Sequence, residues 1–153
     1  VRPLQNGQES AITDALGITP IRVPHRDEYS ETVGFIIRAN THRVLFIPDI
    51  DKWERWDQDL NEILNSVDLA LVDGSFFADG EIPNRDMSEI PHPFIRETIE
   101  RLSSLPDSTK HKVRFIHFNH TNPVLQPGSN AQKEVEAAGM TIASQGEIIN
   151  LGD

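Results

Sequence analysis

Three short apolar runs, each breaking into a histidine or an acid, constrain this chain more than any other feature. Ile21-Arg22-Val23-Pro24 ends in His25. Val44-Leu45-Phe46-Ile47-Pro48 ends in Asp49. Val113-Arg114-Phe115-Ile116 ends in His117, with His120 three residues on. Runs of this length, rich in β-branched and aromatic residues, read as strands. Strand ends gathered at one sheet edge let rigid backbone aim several side chains at a common point. Neutral imidazoles with a carboxylate are a ligand set that zinc and similar divalent ions take. No two of these residues stand at the short helical or loop spacing of a self-contained site, so alone they make an incomplete one.

The remaining pattern predicts the layers around those strands. Residues 1–19 are polar loop with at most a short helix near Ala11–Leu16, and the first strand is expected only from Ile21. Val33–Arg38 and Val44–Ile47 form a hairpin across Asn40-Thr41-His42. Residues 51–66 have helical spacing, with Trp53, Trp56, Leu60, Ile63 and Leu64 on one side and Asp57 as a cap for the second part. Leu69–Val72 is a fully apolar strand closed by Asp73-Gly74, and a long polar loop runs from Ser75 to Pro91. Pro93 suits the first turn of a helix that Pro106 ends. Val113–Phe118 is a buried strand, Asn130–Ala138 a helix closed by Gly139, and Met140–Ala143 and Ile148–Leu151 short final strands. Paired strands followed by alternating helix and strand imply an α/β or α+β fold: a mixed sheet with about three helices.

Composition narrows the function. The 153 residues carry a net charge of −10, which disfavours a nonspecific grip on nucleic acid. No apolar run approaches the ~20 residues of a membrane helix, and no targeting segment is visible, so a cytoplasmic protein is expected. There is no cysteine, which removes thiolate ligands, disulfides and a cysteine nucleophile. Gly-rich phosphate loops and a Gly-x-Ser-x-Gly elbow are also absent, and no serine has a distinctive setting.

Each candidate has a plainer reading beside it. Asp49 can hold or bridge metal, or the Asp49-Ile50-Asp51 segment can cap the following helix, with Asp51 the better cap. At strand spacing His117 and His120 point to opposite faces, so one ligates while the other meets substrate or is structural. Asn119, Thr121 and Asn122 crowd polar groups directly after a buried strand. His92, in Ile90-Pro91-His92-Pro93, precedes a helix and suits a general acid or an anion contact, or is simply a cap-region residue. Asp73 supports a ligand or makes a turn.

Four segments in order carry a resemblance over roughly residues 20–151. They are residues 23–35 (Val-Pro-His-Arg-Asp-Glu-Tyr-Ser-Glu-Thr-Val-Gly-Phe), residues 46–53 (Phe-Ile-Pro-Asp-Ile-Asp-Lys-Trp), residues 87–93 (Met-Ser-Glu-Ile-Pro-His-Pro) and residues 115–123 (Phe-Ile-His-Phe-Asn-His-Thr-Asn-Pro). Together they resemble the metallo-β-lactamase superfamily, in the branch holding coenzyme PQQ synthesis protein B, tRNase Z and the phosphonate-pathway cyclic phosphodiesterase. The resemblance implies a single domain over 1–153, the C-terminal half of an αββα sandwich. The superfamily's His-x-His-x-Asp-His motif does not occur in this sequence, and the half that carries it is the implied partner. By the same resemblance His25, Asp49 and His117 are metal ligands, with His120 the rival to His117. His92 protonates the leaving group, and His120 and Asn122 meet a small-molecule substrate. The implied cofactor is a divalent metal, zinc as a pair in the complete protein, with iron or manganese also accepted. The implied activity is that of a metal-dependent hydrolase, a metal-activated hydroxide attacking a phosphodiester or other ester-like bond. The alternatives are an oxidative enzyme using iron, like PQQ synthesis protein B, and a metal-free domain that binds a partner through the 75–91 loop. Monomer and oligomer both remain open.

Overall fold

The computed structural model describes residues 3–151. Among these, seven strands join in chain order into one sheet: β1 (Ser10–Ala11), β2 (Leu16–Arg22), β3 (Val33–Ala39), β4 (His42–Ile47), β5 (Leu69–Asp73), β6 (Val113–Ile116) and β7 (Thr141–Ile142). β1 to β4 pair antiparallel and β4 to β7 pair parallel. The helices are α1 (Leu60–Asn65), α2 (Ile95–Leu102), α3 (Asp107–Lys110) and α4 (Asn130–Ala137). This is the mixed α/β sheet that the sequence implied.

Strand direction is what builds the site. β2 is antiparallel to β3, and β3 to β4, so β2 runs the same way as β4, β5 and β6. The exits of these four strands therefore share one rim. In open sheets with parallel strands, ligands gather beyond such carboxyl ends.

One face of the sheet is sealed by the helices. Leu45, Ile47, Ala70, Val72, Val113 and Phe115 pack against Leu60, Leu64, Ile95, Leu102 and Val135, and most are wholly buried. Apart from Ala70, each such side chain contributes roughly 1.5–3 kcal/mol of burial. Trp53 and Trp56 belong to this core, and their indole N–H groups reach Thr98 Oγ1 at 2.9 Å and the Arg22 carbonyl at 2.8 Å. On the opposite face Phe35, Ile37, Val44, Phe46, Leu71 and Ile116 are only half-buried.

Several elements differ from their sequence reading, each for a local reason. Residues 11–16 form a strand end and a tight turn, not a helix, because Ile12 and Thr13 donate N–H groups to the Leu16 carbonyl while Thr13 Oγ1 accepts from Leu16 N–H, and residues 16–19, read as loop, are the first part of β2, paired with β3. The helix expected over 51–66 breaks into a 3₁₀ turn at Trp53–Arg55 and α1. Asp59, not Asp57, caps α1, accepting from Asn61 N–H at 2.9 Å. Asp51 caps nothing; its carboxylate takes the Lys52 N–H and Arg55. Pro93 lies outside α2, whose start Glu97 closes by accepting the Phe94 N–H at 2.8 Å. β6 stops at Ile116, since His117 turns to φ +62°. Residues 148–151 form no strand, and Ile148 lies exposed. The 75–91 segment carries its own small core of Phe76, Met87 and Ile90 against Phe94, which gives an irregular stretch a fixed shape. Among the described residues no helix is long and apolar enough to cross a membrane.

Candidate metal centre

The shared rim delivers four titratable side chains to one point. Asp49 follows β4, Asp73 ends β5, and His117 follows β6. His92 arrives from the end of the 75–91 segment, seated edge-on against Phe76 with ring centroids 5.8 Å apart. Each of the four offers a ligand atom within 4.8 Å of those of the others. His25, beyond β2, joins from the side, its Nε2 2.9 Å from Asp49 Oδ1.

The two acids are held differently. Asp73 is fully buried and heavily hydrogen-bonded. Its Oδ1 accepts the Ser75 N–H at 2.8 Å, and its Oδ2 accepts from Ile50 N–H at 3.2 Å and from His92 Nδ1 at 2.7 Å. Burial pushes the Asp73 carboxyl upward, but the His117 and His92 imidazoles and the Ser75 amide together outweigh it and hold the group below its ordinary value. Asp49 is partly open to solvent, and its Oδ1 is a buried atom without a hydrogen bond. His25 Nε2 is likewise buried and unbonded, although the two atoms nearly touch. Buried polar atoms are normally satisfied. A pair this close and without a hydrogen bond, with a further imidazole and carboxylate within reach, fits a divalent cation as the shared partner.

His117 adopts the left-handed region that non-glycine residues rarely enter, and such strain concentrates at functional sites. The Asp73 carboxylate beside it, 3.9 Å from Nδ1, raises its pKa above the ordinary value; partial burial opposes this, and Asp49 and the Pro48 carbonyl add to it. An open depression of about 250 Å³ adjoins the cluster, lined by Ser75, Phe76, His92, His117, Phe118 and Asn119. A cavity of about 300 Å³ bounded by Arg22, Arg55 and Trp56 lies apart from the four clustered groups. Its arginines are engaged by Glu31 and Asp51.

Set beside the sequence reading, Asp49 and His117 fall in one group with His92, while His25 lies against Asp49 but outside that group. His120 is exposed and outside the group, so of the two histidines His117 is the one that faces it. Asn122, expected at a substrate, is 1% exposed and occupied elsewhere. Its amide donates to the Gly74 and Ser75 carbonyls, and its oxygen accepts from Val124 N–H. It braces the loop beneath the site and cannot touch a ligand from there. Two residues carry more than the sequence suggested. Asp73 had only its place at a strand end as a signal. Ser75 had none, because its contacts are made across the sheet.

The beta-lactamase superfamily domain matches residues 1–118. Coenzyme PQQ synthesis protein B of Methylobacterium sp. (strain 4-46) is 31% identical over 132 residues, covering 81% of this chain and 42% of that protein. The crystal structure of Zn(2+)-bound PqqB from Methylobacterium extorquens superposes with a TM-score of 0.72 at 26% identity, over 92% of this chain and 48% of that one. The metallo-beta-lactamase fold protein YhfI from Bacillus subtilis, at 17% identity and a TM-score of 0.57 over 92% of this chain and 50% of that one, shares the fold. The chain spans less than half the length of the curated relatives that it matches first.

Proposed function

Because this chain belongs to the beta-lactamase superfamily domain family, we propose that it carries part of the metal centre of a metal-dependent hydrolase acting on a phosphodiester or another ester-like bond. The observation that supports this reading is the meeting of Asp49, Asp73, His92 and His117 within 4.8 Å beside the unbonded pair His25 Nε2 and Asp49 Oδ1. His25, Asp49 and His117 hold the cation. Zinc is the ion of the similar Methylobacterium extorquens protein, and iron and manganese suit the same donors. When bound, a divalent metal supplies a Lewis acid that polarises the ester and makes a water acidic enough to be a nucleophile near neutral pH.

The chain's own groups do the rest. Asp73 orients His92 through Nδ1, which fixes the ring and its tautomer. With Nδ1–H donated to that carboxylate, Nε2 is the atom that moves a proton. His92 lines the depression beside the cluster, where a leaving oxygen would sit. Phe76 and Phe118 form the apolar part of that wall and keep bulk water from one side.

A second reading has its own support in the 31% identity to a coenzyme PQQ synthesis protein: an oxidative enzyme using iron in the same ligands. Metal analysis of the purified chain, alone and extended upstream, separates the two. Stoichiometric zinc with turnover of bis(p-nitrophenyl) phosphate supports hydrolysis, iron with oxygen uptake supports the alternative, and no metal in either form refutes both. In the hydrolytic reading His117→Ala lowers metal content, whereas His92→Ala keeps metal and slows turnover. Equal metal loss from both substitutions contradicts this division of roles.

A further inference from the structure

We propose that Ser75 is the positioning residue that holds His117 in the tautomer and orientation through which it reaches the cluster; the metal side of this rests on the reading above. The evidence begins with the backbone. His117 sits at φ +62°, a conformation that is unfavourable for an L-residue and persists only where neighbours impose it. The Ser75 hydroxyl lies 3.1 Å from the His117 carbonyl and 3.1 Å from its ring Nδ1, touching the strained backbone and the side chain together.

A hydroxyl has one proton to give and lone pairs to receive. The His117 carbonyl can only accept, so the Ser75 proton goes there. The Nδ1 contact then requires Nδ1 to be the donor, with Ser75 Oγ accepting. The second oxygen near Nδ1, Asp73 Oδ1 at 3.9 Å, is also an acceptor, so both neighbours of this nitrogen favour a proton on it. That leaves the lone pair of the neutral ring on Nε2. Among neutral imidazoles this is the less common tautomer in water, so a fixed acceptor at Nδ1 is a selective device.

Ser75 is itself anchored on both sides, which a positioning residue requires. It is 4% exposed. Its N–H donates to Asp73 Oδ1 at 2.8 Å, and its carbonyl accepts from Asn119 N–H at 2.9 Å and from the Asn122 amide at 3.2 Å. Gly74 N–H adds a bond to the Ile116 carbonyl at 2.8 Å. The exits of β5 and β6 are thus tied together on either side of His117, and the hydroxyl cannot drift away.

The test uses Ser75→Ala, Ser75→Thr and Ser75→Cys in the full chain. The ring tautomer of His117 is read in zinc-free protein by ¹⁵N NMR, and zinc binding by competition with a chromophoric chelator. Ser75→Ala and Ser75→Cys are expected to shift His117 toward the Nε2–H tautomer and to weaken zinc about 10–100-fold, the usual cost of losing a group that orients a ligand. Ser75→Thr keeps the hydroxyl and restores both. Should the alanine variant fail to fold, the cysteine variant, of nearly the same volume, carries the test. An unchanged tautomer in the alanine or cysteine variant overturns the proposal, even where zinc binding falls. A wild-type chain that binds no zinc defeats the metal reading alone, because the tautomer still reports on Ser75.

Discussion

Asp73 and Asp49 sit side by side, yet the structure gives them opposite work, and isosteric substitution separates the two. Asp73→Asn replaces one carboxylate oxygen by an amide NH₂. Three donors converge on this carboxylate: Ser75 N–H on Oδ1, and Ile50 N–H and His92 Nδ1 on Oδ2. Turned with its oxygen toward Ile50 and His92, the asparagine sets NH₂ against the Ser75 N–H. Turned the other way, it sets NH₂ against Ile50. Either orientation leaves a buried backbone donor unpaired, at about 1–3 kcal/mol, and weakens the remaining charge-assisted bonds. Relief from burying a charge offsets part of this, so the net expectation is a loss of roughly 2–4 kcal/mol. Asp49→Asn meets the reverse situation. The atom concerned has no hydrogen bond to lose, and the group is partly solvated. Its stability should stay within about 0.5 kcal/mol of wild type while zinc affinity falls at least tenfold. Urea unfolding of metal-free protein at neutral pH reads the first quantity as a shift in midpoint at constant slope, and chelator competition reads the second. Equal stability of the two variants would show that the Asp73 network does not hold the rim together, and the reasoning would fail.

Three further outcomes follow from the same geometry. Stability of the metal-free chain should peak in mildly acidic solution. The lowered Asp73 contributes stability present above its ordinary value of 3.8 and lost as pH falls, and the raised His117 contributes stability present below 6.5 and lost as pH climbs through its folded value. A melting temperature that is flat across both limbs contradicts the pairing. Zinc binding should strengthen with rising pH until His117 is deprotonated, because metal and proton compete for the ring; calorimetric titrations at several pH values test this. Gly74→Ala should destabilise by about 1–3 kcal/mol, since the new Cβ would lie 2.9 Å from Phe115 Cβ and 3.1 Å from the Ile116 carbonyl, neither of which can swing aside. A thermal shift of less than a degree argues against that crowding.

What was legible in the sequence is what depends on near neighbours. Apolar, β-branched runs mark β3 and β4, the unbroken run Leu69–Val72 marks β5, and Gly139 closes α4. His25, Asp49 and His117 could be singled out because each stands where such a run stops. The break in the helix expected over 51–66 was harder. Trp53, Trp56 and Leu60 do share one buried side, but they reach it from a 3₁₀ turn, an extended residue and a new helix, and hydrophobic spacing reads the same in both cases.

The sequence by itself determined which residues end strands and which chemistry they can offer. Only the tertiary structure decided that β2, β4, β5 and β6 run the same way, so that their ends share a rim, and that Asp73 and Ser75 belong with them. Pairing partners and strand direction are settled between segments far apart in the chain, as when Ala70 of β5 pairs with Val113 of β6. A local pattern carries the face a side chain takes. It carries nothing about which distant backbone that face will meet, and the burial of Asn122 and the strained turn at His117 are both made there.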